Sequence, residues 1–111
     1  MTIAFGDLVE CDINPVGDVD LYRFSGASGE TVRIQATQKT GPGTPYFELY
    51  DPGNVKIAER GNRWDAISAL EVQLTGTGTY TIRVYDADVN ETMGYRIFLQ
   101  RLVPPLSPAP M

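Results

Sequence analysis

The sequence predicts an all-β protein, a jelly-roll-like antiparallel β-sandwich of about eight or nine strands. Short segments in which apolar and polar residues alternate recur along the chain, which is the period of half-buried strands. Turn-forming Gly, Pro, Asn and Asp separate these segments about every ten residues. No stretch shows a sustained helical period between capping residues.

The N-terminal part of the chain contributes the first strands. Residues 2–14 alternate around one break, which predicts a short edge strand followed by a longer one. After a turn that contains Pro and Gly, the segment 19–24 places Tyr22 and Phe24 on the same face as Asp20.

The middle of the chain contributes four further strands. Residues 30–38 have the most regular alternation, and residues 46–50 and 55–59 flank an Asp-Pro-Gly-Asn turn. Residues 67–74 alternate again. The apolar residues of these strands that are predicted to face the core include Val32, Ile34, Ala36, Phe47, Leu49, Leu70, Val72 and Leu74.

The last two strands are predicted to form a hairpin. Residues 78–86 and 94–102 both alternate, and a short acidic loop joins them. One antiparallel register buries every apolar side chain. It pairs Tyr80 with Leu99, Ile82 with Ile97, and Val84 with Tyr95.

This register places Arg83 opposite Arg96 on the outer face, beside Tyr85 and Phe98. Like charges in such a pair destabilise a sheet. Either a carboxylate from a neighbouring strand separates the guanidinium groups, or the patch binds a sugar or a carboxylate through its arginines and aromatic rings. The candidate carboxylates on neighbouring strands are Glu48 and Glu71.

Length and composition restrict the function. The chain has 111 residues, enough for one domain, and a net charge of -5 without a basic run, which argues against nucleic acid as a partner. It contains no His and no Gly-x-Ser-x-Gly motif, so zinc hydrolysis and Ser-His or Cys-His catalysis are excluded and no enzymatic activity is expected. Cys11 is the only cysteine, and it is predicted to be buried and inert.

The chain is predicted to be one module at residues 1–102 with a proline-rich linker or tail at residues 103–111. The tail holds four of the eight prolines, a composition typical of a polyproline-like linker, and a further domain is expected after it. No window has the apolar length of a membrane span, so no membrane partner is expected.

Five motifs resemble the bacterial pre-peptidase C-terminal domain family. The first is GDVDLYRF at residues 17–24, where the family pattern is Gly-Asp-x-Asp-x-Tyr-x-Phe. The others follow in the family's order and spacing: GETVRI at residues 29–34, LYDPGN at residues 49–54, TGTGTYTIRV at residues 75–84 and GYRIFL at residues 94–99.

The resemblance implies a jelly-roll-like, non-catalytic module of a secreted bacterial enzyme, often a peptidase. Relatives include the collagen-binding domains of clostridial collagenases, which bind calcium, and similar sandwiches bind carbohydrate. We therefore expect an extracellular accessory module that holds a catalytic domain, present in cis, near a polysaccharide or a fibrous protein. The alternative is a structural spacer or secretion-associated domain without a polymer ligand.

Two acidic clusters are candidate calcium sites. Asp86, Asp88 and Asn90 have the Asp-x-Asp-x-Asn spacing that supplies oxygen ligands from alternate positions, although Ile97 replaces the Glu that closes an EF-hand loop. The alternative interpretation is that the carboxylates cap turns and solubilise an edge strand. The second cluster, which the collagen-binding relatives favour, consists of Glu10, Asp12, Asp18 and Asp20.

Trp64 lies in a polar loop. It either stacks on a sugar ring, together with the outward-facing Tyr46 and Tyr50, or closes one end of the core. The predicted ligand-binding residues are Trp64, Arg83, Tyr85, Arg96 and Phe98.

Overall fold

The computed structural model describes residues 1–103, which form two four-stranded antiparallel sheets packed face to face. Sheet A has the order β2-β7-β4-β5 and sheet B the order β1-β8-β3-β6, which confirms the predicted jelly-roll-like sandwich. The strands are β1 (Leu8–Ile13), β2 (Asp20–Gly26), β3 (Thr31–Thr40), β4 (Pro45–Tyr50), β5 (Lys56–Gly61), β6 (Ile67–Gln73), β7 (Gly78–Asp86) and β8 (Met93–Val103).

The core lies between the two sheets and confirms the alternation in the sequence. In β7 from Tyr80 and in β3 as far as Ala36, every second side chain is buried and its neighbours face outward. In β4 the outward-facing Glu48 is buried as well as Phe47 and Leu49. Cys11 is half-buried and packs against the edge of the core. The fully buried side chains include Phe24, Val32, Ile34, Phe47, Leu49, Tyr80, Ile82, Val84, Tyr95, Ile97 and Leu99.

The predicted hairpin of the last two strands is wrong. Strand β7 pairs with β2 and β4 in sheet A, whereas β8 pairs with β1 and β3 in sheet B. The loop between them therefore crosses from one sheet to the other. Each strand still buries its predicted apolar face, because the period of two fixes the face and leaves the partner strand undefined.

A buried chain of hydroxyl groups connects the sheets. The hydroxyl groups of Tyr22 in sheet A and Tyr95 in sheet B are 2.7 Å apart, and the Tyr95 hydroxyl donates to the Asp20 carboxylate at 2.5 Å. Burial and the hydrogen bond to Asp20 raise the pKa of Tyr95 far above its usual range. The polar atoms of these side chains are thus satisfied inside the sandwich.

Two further predictions concern the C-terminal tail and membrane-spanning segments. The proline-rich tail falls almost entirely on residues 104–111, which lie outside the described residues. Within residues 1–103, no helix is long and apolar enough to cross a membrane.

Candidate functional site

The structure divides the predicted ligand patch between the two outer surfaces of the sandwich. Arg83 and Tyr85 lie on the outer face of sheet A, and Arg96 and Phe98 on the outer face of sheet B. The prediction that Arg83 lies opposite Arg96 is wrong for the same reason as the hairpin. Each arginine has its own carboxylate partner.

On sheet A, Glu48 is the centre of a group of side chains that we call the tyrosine face. The Glu48 carboxylate accepts hydrogen bonds from the hydroxyl groups of Tyr50 (2.9 Å) and Tyr85 (3.1 Å). It also forms ion pairs with Arg83 at 3.3 Å and Lys56 at 3.7 Å. The tyrosine face consists of Tyr46, Glu48, Tyr50, Lys56, Arg83 and Tyr85.

Glu48 is ionised despite its position. It points outward from the sheet, yet its neighbours cover it so that only 7% of the residue is exposed. Burial opposes ionisation, and hydrogen bonds from Tyr50, Tyr85 and Arg83 outweigh that effect, so the pKa of Glu48 lies below its usual value. The tyrosine face therefore contains a fixed negative charge surrounded by donors.

The rings of the tyrosine face are packed against each other. Tyr46 and Tyr85, which are neighbours on β4 and β7, stack with ring centroids 5.2 Å apart. The guanidinium carbon of Arg83 lies 5.3 Å from the centroid of the Tyr85 ring, within range of a cation-π contact. The result is a half-exposed aromatic surface whose side chains hold one another in place.

The outer face of sheet B contains a groove beside Phe98, which we call the Phe98 groove. It has a volume of about 300 Å³ and is lined by Leu8, Gln35, Thr37, Arg96 and Phe98. Phe98 is half-buried, whereas Leu8 is 60% exposed beside it on β1. The groove combines an apolar floor with polar side chains.

Glu10 is the carboxylate partner on this face. It accepts a hydrogen bond from Arg96 Nε at 2.9 Å and one from Lys39 Nζ at 2.8 Å, and these contacts lower its pKa. Unlike Glu48, its side chain is 49% exposed. Glu48 pairs with Arg83 and Glu71 pairs with Arg33 at 3.6 Å, so neither carboxylate lies between Arg83 and Arg96, and that part of the prediction is wrong.

Trp64 is a surface residue. It is 77% exposed in the loop between β5 and β6, with the Arg63 guanidinium 4.9 Å from its ring centroid. The interpretation that Trp64 closes the core is therefore wrong, since tyrosine, phenylalanine and aliphatic side chains fill the described core without it. Its proposed contact with a ligand stays a prediction.

The N-terminal acidic residues do not converge on one point. Glu10 is held in ion pairs, Asp18 accepts the backbone N–H groups of Asn14 and Val19, and Asp20 accepts the Tyr95 hydroxyl. Asp12 is exposed near the end of β1. Asp18 thus caps a turn, and Asp20 accepts a hydrogen bond from a buried hydroxyl group.

Asp86 also has a structural role, in the loop that crosses between the sheets. It is 2% exposed, and its carboxylate accepts backbone N–H groups from Thr44, Asn90 and Glu91 at 3.0 to 3.1 Å. Asp88 is exposed in the turn that Asp86 closes.

The described residues do not contain a preformed group of carboxylates for a calcium ion. Within residues 1–103, no three Asp, Glu or Cys side chains are grouped so that they could share a metal. The most enclosed carboxylate, Asp86, already accepts three protein donors. Calcium binding remains a prediction without support from this geometry.

Only part of the site is predictable from the sequence. The pattern indicates Glu48 as a counter-charge and not as the centre of a cluster, and it does not indicate Gln35, Thr37 and Leu8 as groove residues. The available signal was the order Tyr-Phe-Glu-Leu-Tyr at residues 46–50, whose alternation puts Glu48 between two outward-facing tyrosines.

The fold is similar to that of solved bacterial proteins. The pre-peptidase C-terminal domain of the collagenase from Bacillus anthracis superimposes with a TM-score of 0.71 at 20% identity, covering 89% of this chain and 92% of that chain. The Aeromonas hydrophila protein PliG, a periplasmic inhibitor of g-type lysozyme, gives a TM-score of 0.64 at 17% identity, covering 90% and 95%. These likenesses establish the fold.

No curated protein sequence matches the chain. The sequence does match the family description "Bacterial pre-peptidase C-terminal domain" over residues 18–86, from the turn before β2 to the end of β7. This match covers more than half of the chain; it includes the second, third and fourth of the five motifs in full and the first motif except Gly17. The chain therefore belongs to the bacterial pre-peptidase C-terminal domain family.

Proposed function

We propose that this chain is a non-catalytic accessory module of a secreted bacterial enzyme, and that its tyrosine face binds a fibrous protein. The observation that supports the proposal is that the hydroxyl groups of Tyr50 and Tyr85 are held by hydrogen bonds to the Glu48 carboxylate. The tyrosines lie on the outer surface of a rigid sheet, where a flat polymer strand has access to them.

These hydrogen bonds reduce the side-chain entropy that the tyrosines lose when a ligand binds. A mobile tyrosine loses side-chain entropy when it contacts a ligand, at roughly 0.5 to 1.5 kcal/mol for each immobilised side chain. Here stacking with Tyr46 and the hydrogen bond to Glu48 have already restricted the Tyr85 ring. Tyrosine also supplies a large amphipathic contact area, and Leu21, 43% exposed beside Arg83, extends its apolar part.

The similar domain of the collagenase favours fibrous protein as the polymer. Extended, proline-rich strands dock onto aromatic surfaces because their conformation is already ordered. A single tyrosine face of this size binds weakly. When the module is joined to a catalytic domain, weak binding still raises the local concentration of the enzyme on the polymer.

Co-sedimentation with insoluble collagen fibrils tests the proposal, and microcrystalline cellulose serves as the polysaccharide comparison. We expect Tyr46→Ala and Tyr85→Ala to reduce retention on collagen by about tenfold or more, because each removes a ring from the stacked pair. Ile67→Ala is the control, because Ile67 is an exposed apolar residue on the other sheet, outside the tyrosine face, and this variant should be retained like the wild type.

Two results would contradict the proposal. One is a wild-type protein that collagen does not retain, which would favour the structural spacer. The other is unchanged retention of both tyrosine variants, which would move the binding surface elsewhere on the sandwich. Thermal unfolding of each variant shows whether it is folded before retention is interpreted.

A further inference from the structure

The Phe98 groove lies on the opposite side of the sandwich from the tyrosine face and differs from it in chemistry. Its apolar part is formed by Leu8 and Phe98, which are direct neighbours on β1 and β8. Its polar part follows the adjacent strand β3, where Gln35 lies next to Phe98 and Thr37 next to Arg96. An apolar surface thus borders a row of hydrogen-bonding groups.

The polar row is fixed before any ligand binds. Arg33 Nη2 donates to Gln35 Oε1 at 2.9 Å, and Gln35 Nε2 donates to Thr37 Oγ1 at 3.3 Å. A carboxamide has two N–H donors and a hydroxyl has its own proton. Gln35 therefore keeps one donor for a ligand, and the Thr37 hydroxyl can donate while it accepts from Gln35.

The charges at the groove favour a neutral ligand. Arg96 is the charged residue in the lining, and its Nε is bound to Glu10. An anionic ligand would have to compete with the Glu10 carboxylate, which Lys39 also holds in place. A neutral ligand can instead accept hydrogen bonds from the remaining guanidinium N–H groups while the ion pair stays intact.

We propose that the Phe98 groove binds one pyranose ring of a neutral glycan. A pyranose has a face of C–H groups, which would cover Phe98 and Leu8, and an edge of hydroxyl groups, which would reach Gln35, Thr37 and Arg96. The volume of about 300 Å³ lies at the lower limit of small-molecule sites, roughly 300 to 1,000 Å³, and suits a single ring. This site is independent of the tyrosine face.

The test is an NMR titration of the isotope-labelled protein with soluble cello-, xylo- and chito-oligosaccharides. We expect at least one of them to shift the amide signals of Gln35, Arg96 and Phe98. Phe98→Ala should weaken this binding by about tenfold, because it removes the surface that the sugar covers. Tyr85→Ala should leave the titration unchanged, which separates this site from the tyrosine face.

Phe98 is half-buried, so a second variant protects the test against misfolding. Phe98→Leu keeps an apolar side chain of similar reach and removes the flat ring, and it should bind as weakly as Phe98→Ala. The proposal is overturned if none of the three oligosaccharides shifts these signals, if the shifts map to the tyrosine face, or if Phe98→Leu binds like the wild type.

Discussion

Glu48 and Glu10 occupy comparable positions on the two outer faces, and each binds one arginine and one lysine. The contacts of Glu10 are shorter, 2.8 and 2.9 Å against 3.3 and 3.7 Å for Glu48. However, the Glu10 side chain is 49% exposed and that of Glu48 is 9% exposed. Water competes for the first carboxylate and is largely excluded from the second.

Distance alone therefore does not rank the contributions of these ion pairs to stability. Glu48 is covered by tyrosine rings and accepts two hydroxyl hydrogen bonds in addition to its ion pairs. Glu10 has charged partners only. We infer that Glu48 stabilises the fold and holds the tyrosine face rigid, whereas Glu10 positions Arg96 at the Phe98 groove with little effect on stability.

Replacing each glutamate tests this comparison directly and should give the largest effect. We expect Glu48→Ala to lower the free energy of unfolding by about 2 kcal/mol, because the hydroxyl groups of Tyr50 and Tyr85 lose their acceptor and Arg83 loses its partner. Glu10→Ala should leave it nearly unchanged. Urea unfolding at neutral pH measures both. Equal losses would contradict the comparison, because they would show that the ion pairs of the exposed Glu10 contribute as much to stability as those of the buried Glu48.

Lowering the pH should reduce the free energy of unfolding that Glu48 contributes, by less than its replacement with alanine does. The pKa of Glu48 is lowered in the folded protein from an ordinary value of 4.5, so its contribution is complete above that value and is lost as the pH falls through the folded pKa. The stability difference between wild type and Glu48→Gln should therefore shrink as the pH is lowered from neutral to below 4.5.

The comparison with Glu48→Gln removes the effect of other acidic groups. Glu10 and Glu59 also have lowered pKa values, but both are present in the two proteins and cancel in the difference. A stability difference that stayed constant over this pH range would mean that Glu48 contributes through its shape and hydrogen bonds, and not through its charge.

Calcium should have the smallest effect, because neither face nor the crossing loop presents a group of free carboxylates. We expect the same melting temperature in EDTA and in millimolar calcium. A bound ion at a hundredfold excess over its dissociation constant would stabilise the protein by about 2.7 kcal/mol, which is several degrees for a domain of this size. A shift of that order would show that the ion draws Asp12 or Asp88 into a site.

Alternation in the sequence predicted the strands and the direction of their side chains, as at Val32, Ile34 and Ala36, because burial of one face repeats every two residues. It could not predict the partner of a strand. Adjacent strands often pair, and this tendency suggested a hairpin of β7 and β8. Among the described strands, β4 and β5 are the only consecutive pair that shares a sheet.

One feature of the sequence argued against the hairpin of β7 and β8. The predicted register set Arg83 against Arg96, a pairing that destabilises a sheet, and the correct topology gives each arginine a glutamate instead. The clustering of Glu48 with Tyr85, 37 residues later, depends on the pairing of β4 with β7. Local patterns contain no information about such a distant contact.

The position of β8 has a consequence for how the protein acquires its structure during synthesis. β8 is the last of the described strands to be made, yet it lies in the interior of sheet B, between β1 and β3. β1 pairs only with β8 among the described strands, with Leu8 opposite Phe98, so it has no partner strand until β8 has been made. Contacts between residues so far apart in sequence form slowly. We therefore expect the edge of β1 and the edge of β3 that faces β8 to stay unpaired until β8 leaves the ribosome, and the sandwich to close only after its own translation is complete.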